Sequence, residues 1–158
     1  MEKIASFQID HTRLKPGLYV SRRDQFGGTV LTTFDLRFKE PNKEPVIDMP
    51  ALHTIEHLGA TFLRNHETWK KRVVYFGPMG CRTGCYLILE GTLDSKDALP
   101  LVTEMLAWMA AFEGAIPGAA PAECGNWQEQ NLNMAKWEAA RYGLVLKNPA
   151  EDRLNYPS

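Results

Sequence analysis

His53, Glu56 and His57 stand within five residues of one another, and on a helix that spacing sets two imidazoles one turn apart, able to hold one metal ion from the same side. Glu56 projects next to them. A catalytic metal keeps one position open and works beside a group that carries protons, so Glu56 suits the second role better than that of a third ligand. Cys124, in the run Glu123-Cys124-Gly125-Asn126, is a loop cysteine whose thiolate could close a His/His/Cys set with His53 and His57, leaving one coordination position free. Without the histidines it would be a cysteine of no consequence. Cys81 follows Gly77-Pro78-Met79-Gly80, a turn whose glycines let the backbone bring a side chain close to a ligand. That favours a reactive thiol, either nucleophile or general base. Cys85 opens a strand and reads as a small buried hydrophobe; Gly84 and strand alternation argue against pairing it with Cys81 as metal ligands.

The run His53-Thr54-Ile55-Glu56-His57 is also the inverted zinc-peptidase pattern, in which the glutamate activates a metal-bound water. That class takes a carboxylate third ligand from a later helix and is usually far longer, and no such glutamate stands out downstream. A non-catalytic metal or redox module built on Cys81 and Cys124 is a third reading, but a purely structural site prefers four protein ligands. Two histidines on one helix also arise by chance; a third ligand is what separates the site from coincidence.

The elements that must position these groups are legible from periodicity. Leu52, Ile55, Gly59, Phe62 and Leu63 form a buried stripe on a helix that starts near Pro50 and ends near His66. Leu18 to Phe26 and Thr29 to Phe38 read as a hairpin turning at Gly27-Gly28. In its second strand Val30, Thr32, Phe34, Leu36 and Phe38 share one face and Thr33, Asp35 and Arg37 the other, where a solvated arginine is the default and one lining a site the alternative. A second hairpin pairs Arg72 to Phe76 with Cys85 to Glu90 across the Gly77 to Gly80 turn. A helix capped at Ser95 or Asp97 carries Leu101, Met105, Trp108, Met109 and Phe112 toward Gly114. A final helix runs from Gln128 to Tyr142 and stops at Gly143, with Trp127 and Trp137 packing along it. The tail from Lys147 to Ser158 has little to bury, Glu2 to Asp10 shows no strong pattern, and His11 and His66 read as either solvated or engaged. The order predicts an α+β domain with an antiparallel sheet and helices packed on one face.

At 158 residues the chain is one domain, residues 1–158, large enough to bury a core without staples. A net charge of −1 with no basic block disfavours nucleic acid and anionic membranes as partners. No signal-like stretch or membrane-length apolar run is present. With an odd number of cysteines, the expectation is a cytoplasmic protein with reduced thiols.

Five ordered motifs resemble the S-ribosylhomocysteine lyase (LuxS) family: Ser6-Phe7-x-x-Asp10-His11; Phe34-Asp35-Leu36-Arg37-Phe38 with Pro41-Asn42-Lys43; His53-Thr54-Ile55-Glu56-His57-Leu58; Pro78-Met79-Gly80-Cys81-Arg82-Thr83-Gly84; and Glu123-Cys124-Gly125. The resemblance implies a LuxS-like, inverted-zinc-peptidase-like α+β fold that makes the precursor of autoinducer-2. It implies a metal site of His53, His57 and Cys124, normally Fe(II) and often zinc or cobalt on isolation. Glu56 and Cys81 would be the acid/base pair, and Ser6, His11 and Arg37 would hold the substrate. It further implies a homodimer with its active sites at the subunit interface. The chain departs from the family in two places. Many members have Asp-Ile-Ser where Tyr75-Phe76-Gly77 stands here, and an aromatic residue where Cys85 stands, so a contact made by that aspartate does not carry over.

Overall fold

A computed structural model describes residues 1–158. One turn of helix, α1 (Ala5–Gln8), precedes the hairpin β1 (Gly17–Phe26) and β2 (Thr29–Arg37); α2 (Met49–Asn65) leads to a second hairpin, β3 (Val73–Pro78) and β4 (Gly84–Glu90), and then to α3 (Ser95–Ala110) and α4 (Leu132–Val145). A 3-10 turn at Glu151–Arg153 starts the tail. The strands form one antiparallel sheet in the order β1-β2-β4-β3. The α+β class and the antiparallel sheet are therefore as the residue pattern predicts.

The alternation in β2 decides which face meets the helices. Phe34 pairs with Val20 and Leu87, and Leu36 with Leu18 and Cys85. These side chains join Leu52, Ile55 and Leu58 of α2, Leu101, Val102 and Met105 of α3, and Ala139 and Tyr142 of α4 in one core. Cys85 is wholly buried there, and burial, then the nearby Glu56 and Asp35 charges, push its thiol far above the usual range. Gly59 lets α2 lie against β3, since a Cβ at that position would collide with the Phe76 ring.

Several elements differ from their expected bounds. Strand β3 runs on through Gly77 and Pro78, which pair with Tyr86 and Cys85; as an edge strand it tolerates the proline's missing donor. The turn therefore falls at Met79 to Thr83, closed by Met79 N–H donating to Gly84 (2.9 Å) and Arg82 N–H to Met79 (2.9 Å). Its left-handed residue is Arg82 at φ 60°, not a glycine. Helix α3 is capped by Asp94 rather than Ser95 or Asp97, with the Asp97 carboxylate accepting the Asp94 N–H at 2.7 Å in a capping box. It ends at Ala110, short of Phe112 and Gly114. Helix α4 starts later than Gln128, where Asn131 accepts the Met134 N–H at 3.1 Å. It passes through Gly143 and runs on to Val145, and the cap residue Leu146 is buried.

Trp127 and Trp137 are exposed rather than packed. Trp137 lies under the Lys39 ammonium, 5.3 Å from the ring centroid. Lys39 itself is buried and holds Glu138 of α4 at 2.7 Å, tying that helix to the end of β2. No helix is long and apolar enough to cross a membrane.

Candidate functional site

Helix α2 presents His53 and His57 one turn apart, with Nε2 atoms 3.0 Å from each other. Both Nδ1 atoms face backbone carbonyls, His53 at 2.8 Å from the Glu129 oxygen and His57 at 2.7 Å from the Pro117 oxygen. A carbonyl only accepts, so each Nδ1 carries the proton and each Nε2 presents a lone pair to the other. Two lone pairs facing at that distance repel unless a cation sits between them. Cys124 Sγ approaches His53 Nε2 to 3.4 Å, and the three donor atoms lie within 4.8 Å of one another. Ligands at about 2.0–2.3 Å from a tetrahedral ion are about 3.3–3.7 Å apart, so this set fits a divalent ion with a fourth position left over.

The loop between α3 and α4 supplies more of this site than Cys124. Pro117 gives the carbonyl that orients His57, and Gly118, at φ +72°, runs so close beneath that ring that a Cβ would stand 3.0 Å from Nδ1. Cys124 is held by its N–H donating to Ala120 at 3.0 Å. Beside the donors lies a cavity of about 230 Å³ lined by Met49, Leu52, His53, Glu56, Pro78, Asn126 and Glu129. Glu56 forms no ion pair. Its side chain lines the space next to the donors.

A second cluster forms on the other face of the sheet. Arg37 is only 3 % exposed, so the solvated reading is wrong: its Nε and Nη2 donate to Asp35 at 3.0 and 2.6 Å, and Nη1 to the Thr83 hydroxyl at 2.6 Å. Its neighbours across both ladders are glycines, Gly17 and Gly84; a Cβ would strike the Arg153 carbonyl and the Tyr19 ring at the first and the Leu36 carbonyl at the second. Burial works against the Arg37 charge, but Asp35 outweighs it and the net effect raises the pKa. Cys81 is exposed, 3.1 Å from the Thr83 hydroxyl and 3.9 Å from Arg37 Nη1.

The family model for S-ribosylhomocysteinase (LuxS) matches residues 4–152. The chain belongs to the LuxS family. It is 61 % identical over its whole length to S-ribosylhomocysteine lyase of Desulfotalea psychrophila, whose whole length is likewise covered. The identity is 57 % to the proteins of the same name from Clostridium acetobutylicum and Porphyromonas gingivalis, over 99 % of each chain.

In this LuxS-family chain the predicted residues fall into groups. His53, His57 and Cys124 come together as one donor set with Glu56 beside it. That third donor is a thiolate rather than a downstream carboxylate, which sets the inverted-motif peptidase reading aside. Arg37 and Cys81 meet in the second cluster. Ser6 and His11 join neither by hydrogen bond; Ser6 lies on α1, and His11 Nδ1 contacts its own loop at the Ile9 carbonyl, 2.8 Å away. His66 is engaged, at 3.2 Å from Glu104. The sequence does not mark Asp35, Thr83, Pro117, Gly118 or the Glu129 carbonyl as parts of a site. The Pro117-Gly118 pair was the available signal, since that dipeptide marks a fixed turn.

Proposed function

We propose that this single domain, residues 1–158, cleaves S-ribosyl-L-homocysteine to L-homocysteine and 4,5-dihydroxy-2,3-pentanedione, the autoinducer-2 precursor, in the cytoplasm. The observation that carries this reading is the three-donor set with an open position and an unpaired carboxylate beside it, in a chain of this family. A thioether on a sugar resists hydrolysis but leaves readily by elimination once a carbonyl acidifies the adjacent carbon. With sulfur on ribose C5, the carbonyl must move from C1 through C2 to C3 before the C4 proton becomes acidic.

His53, His57 and Cys124 would hold the ion, Fe(II) in this reading with zinc or cobalt as replacements; imidazole and thiolate donors suit all three. When bound, such an ion supplies a Lewis acid for sugar oxygens as negative charge builds on them. The proton transfers fall to Glu56 and Cys81. In the first migration one of them takes the C2 proton and one delivers a proton to C1; in the second, the C3 proton leaves and C2 gains one. Removal of the C4 proton then expels homocysteine sulfur from C5, and the enol product tautomerises to the diketone. Each positioned acid or base contributes about 10²–10⁴-fold.

Arg37 sits where it can hold the Cys81 thiolate, and with Ser6 and His11 it would bind the substrate. Within one chain the metal donors and the Cys81 cluster share no hydrogen bond, and Ser6 and His11 reach neither. This supports a homodimer whose active sites lie at the subunit interface. Glu56→Gln and Cys81→Ala are the tests of the roles: each should retain one ion per chain and lose turnover, and wild-type turnover by either variant removes that residue from the mechanism. Sedimentation tests the assembly, since full activity from a monomer at assay concentration would contradict it.

A further inference from the structure

Tyr156 lies in the tail, four residues beyond the span matched by the family model. Its ring stacks on Tyr19 with centroids 4.8 Å apart, and its hydroxyl donates to Asp35 Oδ2 at 2.8 Å. That oxygen is the one that accepts Arg37 Nη2 at 2.6 Å. From Asp35 the chain of contacts continues through Arg37 Nη1 to the Thr83 hydroxyl at 2.6 Å and from there to Cys81 Sγ at 3.1 Å. With its oxygen occupied by Arg37, the Thr83 proton is free to point at sulfur.

We propose that Tyr156 is a positioning residue for the Cys81 thiol: by donating to Asp35 it keeps that carboxylate from neutralising Arg37 completely, and so leaves positive charge for the Cys81 thiolate. Charge is shared along these contacts. Asp35 and Arg37 are 1 % and 3 % exposed, so water does not screen the pair and a hydrogen bond on either member changes what the other offers its neighbours. Burial, then the adjacent Asp35 charge, holds the Tyr156 hydroxyl far above the ordinary phenol range, so it stays a donor throughout the working pH range. The proposal rests on the reading of Cys81 as a proton carrier.

The test is the pH dependence of Cys81 alkylation by iodoacetamide in the metal-loaded full chain, quantified at that residue by mass spectrometry. Tyr156→Phe keeps the stacked ring and loses only the hydroxyl. It should move the midpoint of alkylation up by about half a pH unit, roughly three-fold less thiolate at a fixed pH below it, with the limiting rate at high pH unchanged. Replacing Tyr156 by a difluorotyrosine, a stronger donor of the same shape, should move the midpoint down. Tyr19→Phe is the control, because its buried hydroxyl bonds the Lys15 carbonyl at 2.8 Å and not Asp35; it should leave the midpoint in place. An unmoved midpoint in folded Tyr156→Phe, or an equal shift in Tyr19→Phe, overturns the proposal. Alkylation needs no turnover, so the two readings fail separately: full lyase activity in Cys81→Ala would remove the proton-carrier role and the purpose of the device, while the midpoint alone decides what Tyr156 does.

Discussion

Replacing Gly118 by alanine should weaken metal binding by about 10- to 100-fold, the usual effect of disturbing a group that orients a ligating histidine. Two costs combine at this position. Alanine at φ +72° is in the left-handed region, at about 1–2 kcal/mol. The new Cβ would also stand 3.0 Å from His57 Nδ1 and 3.3 Å from Cε1, closer than most Cβ contacts, so the ring must tilt. Tilting lengthens the 2.7 Å hydrogen bond from Nδ1–H to the Pro117 carbonyl, which fixes the tautomer with Nε2 free. The fold-change corresponds to about 1.4–2.7 kcal/mol. Gly114→Ala separates the two costs: φ is +110° there, with nothing within 4 Å of the added Cβ, so it carries backbone strain and leaves His57 alone. Competition for Co(II) or Zn(II) against a chromophoric chelator gives both affinities. Equal affinity in Gly118→Ala and wild type would refute the account of the loop as the support of His57, and equal losses in both variants would assign the effect to strain.

Other perturbations have defined outcomes. Asp35→Ala leaves Arg37 as a buried, unpaired charge and should cost about 3–5 kcal/mol, read as a lowered midpoint in denaturant; a loss below 1 kcal/mol would mean the pair is solvated in solution. Lys39→Met strands Glu138, whose Oε2 already has no partner, and should destabilise by a similar amount, with Lys39→Met/Glu138→Leu recovering most of it in a double-mutant cycle. Gly59→Ala drives a methyl group into the Phe76 ring and should cost about 1–3 kcal/mol by overpacking, while Phe76→Leu in the same chain should restore part of that stability. Cys85→Ser should leave the metal content unchanged, since that thiol is sealed in the core; lost metal would make it part of the site.

The histidine helix was readable because its signal is local: the ligand spacing and the apolar stripe both follow from 3.6 residues per turn. Strand alternation likewise put Asp35 and Arg37 on one face, but it does not report burial. Tyr156, 121 residues from Asp35, reaches that carboxylate from a tail whose composition suggests little to bury. Leu154 and the Tyr19–Tyr156 stack show otherwise. Helix α4 departs from its expected bounds at both ends, starting after Asn131 and running through Gly143. A cap that accepts an N–H fixes a start, whereas a glycine within a helix costs only about 0.5–1 kcal/mol relative to alanine and tertiary packing absorbs it. The family resemblance, resting on five ordered motifs, assigned Cys124 to a metal site that loop composition alone left open. It could not reveal the Pro117 and Glu129 carbonyls, because backbone oxygens have no residue type to recognise.

The most direct test is release of free thiol from S-ribosyl-L-homocysteine by anaerobically purified protein, beside a chelator-treated sample and the same sample reloaded with Fe(II). Homocysteine release should disappear with the metal and return on reloading, with 4,5-dihydroxy-2,3-pentanedione formed in equal amount. No thiol from protein shown to hold one ion per chain would contradict it.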